Sequence, residues 1–322
     1  MKTVILNHPY AKDDLIDTEI VLALGFFDGV HLGHQKVIER ALQIGKAKGY
    51  SVAVLTFNHT PKLIFEKIHP HEFDYLTDLR HKMTRFEALG VDIVYVADFT
   101  WDLAHLSPEE FVEQYIVTLG AKDVVAGFDY TYGPREIANM STLPLHSQNR
   151  FMVHDVSPIL IEGQKIASST IRQLLLQSKI QEANQALGYI YQTSGQVING
   201  EKRGRTLGFP TANIASDYNQ VIPGIGVYVV ELKLKDQWYP AMASIGYNVT
   251  FKALEEPSIE VNIFDFEENI YGERVIVYWH HYLRPEVKFD GIDALVSQMN
   301  DDKERAKYLL AVDFGDDVSY NI

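Results

Sequence analysis

Short apolar runs alternate with stretches of helical periodicity over residues 1–187, and beyond them the alternation stops. Residues 20–27 read as a strand. Residues 34–48 read as a helix with Val37, Ile38, Ala41, Leu42 and Ile44 on one face. A strand at 51–57, a helix containing 84–89 and a strand at 91–97 follow. Ser107-Pro108-Glu109-Glu110 is a helix start, with proline in the first turn and acids beside the positive end of the dipole. That helix runs to about Leu119, and 123–127 is a fourth strand. Strand–helix–strand alternation at this spacing implies a parallel α/β sheet, which binds ligands at the carboxyl ends of its strands. Helices at 168–178 and 180–187 close this half.

From residue 191 to 282 the pattern is β-type, punctuated by Gly and Pro: 192–198, 226–234, 239–246, 259–264 and 273–282. Strands without intervening helices predict a small antiparallel barrel. A terminal helix from 292 to about 310 carries Leu295, Met299 and Ala306 among charges. The expected domains are therefore 1–187 and 188–322, with the boundary near Gly188.

The net charge of -14 argues against a chain that lives on nucleic acid, whose affinity needs clustered basic residues. It leaves nucleotide substrates open, because a phosphate needs only local donors. The lack of cysteine excludes disulfides, thiolate zinc and cysteine nucleophiles, and fits a reducing cytoplasm. The apolar run at the N-terminus is too short for a signal peptide, and no run approaches the ~18 apolar residues of a membrane span. The expectation is a cytoplasmic protein with small-molecule partners and neither membrane nor nucleic acid; the oligomeric state is not legible.

Gly25-Phe26-Phe27-Asp28-Gly29-Val30-His31-Leu32-Gly33-His34 follows a strand and opens a helix. Its glycines permit positive φ and close approach of backbone to a ligand. The helix N-terminus offers free N–H groups to an anion. His31 and His34 share a face and, as donors, suit phosphate oxygens and the charge that grows in phosphoryl transfer. The bland alternative is a turn with two incidental surface histidines. A second aromatic loop, Gly127-Phe128-Asp129-Tyr130-Thr131-Tyr132-Gly133, ends the fourth strand. Lys165-Ile166-Ala167-Ser168-Ser169-Thr170-Ile171-Arg172 opens a helix. Its hydroxyls suit capping, while Arg172 in the first turn is unfavourable to the dipole unless an anion binds there.

In the second half, Gly200-Glu201-Lys202-Arg203-Gly204-Arg205 combines glycines with cations that can wrap phosphates, without a P-loop ending. Pro210-Thr211-Ala212-Asn213 follows, and Thr211 and Asn213 each offer a neutral oxygen of the kind Mg²⁺ accepts beside water and substrate phosphates. Glu260 reads from spacing alone as an exposed strand acid, and Arg284 as a partner for Glu286.

The string from Gly25 to His34 resembles the FAD synthetase branch of the His-x-Gly-His adenylyltransferases, with a Rossmann-like nucleotidyltransferase fold. The string from Gly195 to Asn213, with Ser258-Ile259-Glu260-Val261 and Tyr282-Leu283-Arg284-Pro285-Glu286, resembles the riboflavin kinase family. Together they resemble the bifunctional prokaryotic riboflavin kinase/FAD synthetases. The resemblance implies two reactions: riboflavin plus ATP to FMN and ADP in the barrel, and FMN plus ATP to FAD and pyrophosphate in the first half. It implies that His31, His34 and Arg172 serve adenylyl transfer without a covalent intermediate, and that Glu260 is the general base of the kinase. Gly25, Phe27, Asp28, Gly29, Gly33, Ser168, Ser169, Gly200, Lys202, Arg203, Gly204 and Arg205 would contact ATP. Asp129 and Arg284 would contact flavin, and Thr211 and Asn213 would hold Mg²⁺. Departures from the pattern are Thr60 in a histidine position, Ala167 for Ser, Ser169 for Thr, Val249 where Pro is frequent, and no glycine soon after Arg135. Two alternatives remain open: only one strong activity, or a non-catalytic flavin-binding regulator.

Overall fold

The computed structural model describes residues 1–69, 73–200, 204, 207–217, 219–246 and 257–314. By contact the chain divides into two compact units, 1–168 and 169–322.

The first unit carries β1 (Lys2–Leu6), β2 (Ile20–Leu24), α1 (Leu32–Lys48), β3 (Ser51–Phe57), α2 (Lys62–Phe65), α3 (Leu79–Ala88) and β4 (Ile93–Ala97). It continues with α4 (Trp101–Ala104), α5 (Pro108–Val112), β5 (Ala121–Gly127), α6 (Leu143–Ser147), β6 (Met152–Val156) and the hairpin β7 (Leu160–Ile161) and β8 (Gln164–Lys165). Six strands pair in parallel in the order β1-β4-β3-β2-β5-β6. All five residues of β2 are buried, because helices cover both faces of a central parallel strand. Ile20, Leu22 and Leu24 pack with Phe111 and Tyr115 on one side. Val21 and Ala23 pack with Val37, Ile38 and Ala41 of α1 and with Phe86 of α3 on the other. The expected start at Ser107 is a capping box: Ser107 Oγ accepts from Glu110 N, and Glu110 Oε2 accepts from Ser107 N. The helix then continues as a π-helical stretch, Glu113–Val117.

The boundaries around the first motif differ from the sequence reading. β2 stops at Leu24 rather than residue 27, because Phe27 and Gly29 take left-handed φ values of 56° and 82°. α1 begins at Leu32 with His31 as its N-cap, not at His34. The strands β1, β6 and β10 were not expected: the apolar run of β1 is only three residues long, and β6 and β10 are mixed in composition.

At the amino end of β5, the buried Asp123 carboxylate accepts from Lys48 Nζ (2.7 and 2.8 Å) and His154 Nε2 (2.8 Å). Burial pushes its pKa up, and the bonds to Lys48 and His154 more than offset this, leaving it below the usual carboxylate value. A depressed folded pKa contributes stability above the unfolded value of ~3.9, and that contribution disappears as pH falls through the folded pKa. Asp123→Asn is therefore expected to destabilise the first unit by about 2 kcal/mol at pH 7, lowering its melting temperature by roughly 4–8 °C. In thermal melts the gap between variant and wild type closes as the pH falls through the depressed folded pKa of Asp123.

The second unit holds α7 (Ser168–Leu176, from its second residue), α8 (Ile180–Leu187), β9 (Tyr191–Ile198), β10 (Ala212–Ser216) and β11 (Gly226–Leu234). Next come β12 (Gln237–Gly246), β13 (Ser258–Ile263), β14 (Arg274–Arg284) and α9 (Ile292–Phe314). The six strands close as an antiparallel barrel in the order β10-β13-β12-β11-β14-β9. The two helices expected to close the first half are tied to the barrel instead. Gly224 N donates to Leu175 O (2.9 Å), and Asn184 Nδ2 donates to Trp279 O (2.8 Å). Gly188 caps α8 at φ 76°. α9 lays Ala306 and Leu310 against Val227, Val229, Met242 and Leu283.

Candidate functional sites

In the first unit, strand order reverses at β2, which has β3 on one side and β5 on the other. The crevice beyond the carboxyl ends of β2 and β5 is where an open parallel sheet takes a ligand. Both motif loops of this half lie there, one after β2 and one after β5.

The loop after β2 is knitted by partners distant in sequence. Asp28 is buried, and its Oδ1 accepts from Leu76 N (3.0 Å) and Thr77 N (3.2 Å). Gly29 N donates to Thr77 Oγ1 (2.9 Å), and Ser168 Oγ donates to Asp28 O (2.9 Å). Asp28 and Ser168, both expected at phosphate, thus have structural bonds of their own. Gly25 has ordinary φ and matters for space: a Cβ there would lie 2.8 Å from the Phe27 ring. Phe27 is buried edge-on to His34 and Phe86.

His31 is 5% exposed, so the incidental-surface reading does not hold for it. Its Nδ1 accepts from His34 N at 3.4 Å, which puts the ring proton on Nε2. The two imidazoles stack with centroids 3.6 Å apart. A Cβ on Gly33 would stand 3.2 Å from the His31 ring, so glycine permits this rotamer. Burial, aided by Lys165, lowers His31 to about 4 against the opposing charge of Asp129. Burial, with His31 and Lys82 nearby, holds His34 well below the ordinary value. Both rings are neutral at pH 7, and each can donate one hydrogen bond without bringing a charge. His34 Nδ1 is buried without a hydrogen-bond partner, an orphan polar atom of the kind a ligand satisfies.

In the loop after β5, Asp129 pairs with Lys165 at 2.5 Å, and Lys165 Nζ also lies 4.7 Å from the Phe128 ring centroid. Arg172 is a full turn into α7 rather than in its first turn, which removes the dipole conflict expected from the sequence. Ser169 and Arg172 group with the second unit.

In the barrel, register brings the kinase-like residues together. Asn213 on β10 and Ser244 on β12 both stand opposite Glu260 on β13. Thr211 Oγ1 donates to Glu260 Oε2 at 3.2 Å. Gly200 closes over Asn213, where a Cβ would come within 2.1 Å of the amide; at Gly204 a Cβ would meet Phe209 O at 2.1 Å. Asn262 Nδ2 donates to Pro210 O (2.7 Å) and fixes the turn leading into Thr211. Lys202, Arg203, Arg205 and Val249 lie outside the described residues.

Two cavities meet at Thr211. One, of about 340 Å³, is lined by Thr211, Phe266, Asn269 and Tyr271 among others. The other, of about 540 Å³, is lined by Thr211, Glu260, Phe289 and Met299, with Arg284 and Asp302 in its wall. Arg284 engages Asp302 on α9 through Nε (2.9 Å) and Nη2 (2.7 Å), not Glu286. Its guanidinium stands 5.7 Å from the Phe289 ring centroid. Sequence reasoning missed Asp302, Asn262, Thr77 and Lys82, whose partners are brought together only by the fold.

The FAD synthetase family matches residues 13–170, and the riboflavin kinase family matches residues 187–310. The bifunctional riboflavin kinase/FMN adenylyltransferase of Listeria monocytogenes is 45% identical over 97% of this chain and 99% of its own length. That of Bacillus subtilis is 41% identical over 95% of this chain and 97% of its own. A solved structure described as a macrolide-efflux protein from Streptococcus pneumoniae superposes with a TM-score of 0.87 and 38% identity, covering 94% of this chain and 99% of that one. Among the described residues, no helix is long and apolar enough to cross a membrane.

Proposed function

From the premise that the chain belongs to the bifunctional riboflavin kinase/FMN adenylyltransferase family, we propose a residue-level division of labour between its halves. The chain uses ATP to phosphorylate riboflavin to FMN, and it adenylylates FMN to FAD with release of pyrophosphate. The functional domains are assigned as 1–187 for adenylyl transfer and 188–322 for the kinase.

The kinase assignment is carried by one observation: Glu260 meets Thr211 where the two cavities join. A general base must lie within hydrogen-bond reach of the hydroxyl it activates. Glu260 faces the larger cavity, so riboflavin enters there with its ribityl chain toward the carboxylate. ATP then occupies the smaller cavity, with its γ-phosphate at Thr211. Gly200, Lys202, Arg203, Gly204 and Arg205 are assigned to contact the ATP phosphates. Arg284 acts on flavin by holding Phe289 and α9 in the cavity wall.

The oxygens of Thr211, Asn213 and Glu260 fit Mg²⁺, a hard cation that takes few protein ligands and leaves the rest to water and phosphate. Bound there, Mg²⁺ would neutralise charge on the transferring phosphoryl group.

In the first unit, the Nε2 proton of His31 and the ring of His34 donate to ATP phosphates at the mouth of α1, and backbone N–H groups at Gly29 and Gly33 assist. Asp129 contacts flavin. A cytoplasmic setting follows from the use of ATP in both reactions.

The test is chromatography of products from Mg²⁺-ATP with either riboflavin or FMN. FMN then FAD from riboflavin, and FAD from FMN, are expected. Both products should vanish with EDTA and return with added Mg²⁺. FMN alone would place the loss at Thr60, Ala167 and the other departures of the first half. Tight flavin binding with no product from either substrate would sink the enzymatic reading.

A further inference from the structure

We propose that Lys82 is a positioning residue for adenylyl transfer, a buried ammonium that clamps the Phe26 carbonyl and keeps one positive charge beneath the nucleotide loop. The proposal rests on assigning adenylyl transfer to the loop of His31 and His34. Lys82 sits on α3 and is 2% exposed. Its Nζ donates to Phe26 O (2.9 Å) and to Thr56 Oγ1 (3.5 Å), while the Thr56 hydroxyl donates to the same carbonyl (2.9 Å). The ammonium also lies 4.3 Å from the Phe26 ring centroid.

A buried amine costs stability, and a methionine of similar reach would fill the space without that cost. The loop is already fastened at Asp28 and Gly29 by Leu76, Thr77 and Ser168. What Lys82 adds is a hold on the peptide just before Phe27, whose φ of 56° no glycine relieves. It also adds a charge. The groups that sense it are Asp28 in the loop, Asp78 at the head of α3 and His34 on α1. Two carboxylates balance Lys82 in the free protein, and ATP brings further negative charge to a loop whose histidines are neutral. Burial, resisted by Asp28 and Asp78, lowers Lys82 to about 8. Its charge is present below that pH and lost above it.

Lys82→Met should lower kcat/KM for ATP in FAD synthesis about 10-fold or more, chiefly through KM, and leave FMN formation unchanged. Lys82→Arg, which keeps the charge, should recover much of the loss. In wild type, KM for ATP should rise as pH passes 8, and in Lys82→Met it should not. By NMR, the His34 titration midpoint should move up in Lys82→Met, because a neighbouring like charge has gone. Wild-type values of kcat/KM in Lys82→Met, or Lys82→Arg as impaired as Lys82→Met, would overturn the proposal. If Lys82→Met does not fold, the wild-type profile decides: a KM flat from pH 7 to 9.5 overturns it, and a rise supports it. His31→Ala run in parallel separates the two readings. If His31→Ala leaves FAD synthesis intact, the site assignment has failed, whatever Lys82 does.

Discussion

Glu260→Ala abolishes FMN formation from riboflavin and leaves FAD formation from supplied FMN at the wild-type rate. The expected drop in kinase kcat is about 10²–10⁴-fold, the usual contribution of a positioned general base. The substitution frees Thr211 Oγ1 from its 3.2 Å bond but touches no core residue, because Glu260 faces the larger cavity between the buried Ile259 and Val261. The barrel should therefore stay folded and still bind riboflavin, which flavin fluorescence titration reads directly. Riboflavin that binds normally and is not phosphorylated is the expected signature. A kinase rate within threefold of wild type would exclude Glu260 as the base.

His31→Ala has the reciprocal effect, removing FAD formation and sparing FMN formation. Loss of one preorganised donor to a developing phosphoryl charge lowers kcat about 10²–10³-fold. His31 also caps α1, so alanine costs about 1 kcal/mol of stability in addition. His31→Asn separates the two roles, because asparagine caps a helix well but lacks the reach of the imidazole Nε2. Asparagine should restore the melting temperature and leave adenylyl transfer impaired. Recovery of both would make His31 a cap and nothing more. With His31 held near 4 by burial, its neutral form prevails from pH 5.5 upward. FAD synthesis should accordingly show no acid limb from this residue in that range.

The elements legible in the sequence are those whose burial is complete. β2 and β5 lie in the middle of the parallel sheet; β2 reads as a continuous apolar run, and β5 shows one at residues 124–126. β1 and β6 are the edges of the sheet, half exposed, with β1 offering only a three-residue apolar run and β6 mixed in composition, and so neither stood out as a strand. β10 hid inside the motif around Thr211 and Asn213, whose chemistry drew attention from its pairing. The loop around His31 was legible because a strand end, glycines and a helix start are adjacent in the chain. Its supports were not: Asp28 is fastened to Leu76 and Thr77, and Arg284 to Asp302, across separations no local pattern reports. The one local sign of Lys82 was a lysine set among Leu79, Met83 and Phe86, on the face that α3 turns toward the core. Helices α7 and α8 looked like the close of the first half, because a helical pattern records an apolar face but not which sheet it meets.

The meeting of two cavities at Thr211 also has a stereochemical consequence. If, as proposed, the phosphoryl donor fills the cavity on one side of that threonine and the ribityl hydroxyl the other, the incoming and outgoing oxygens would lie on opposite faces of phosphorus. A single displacement of that kind would invert the configuration of a phosphoryl group made chiral by oxygen isotopes or sulfur on its way to FMN.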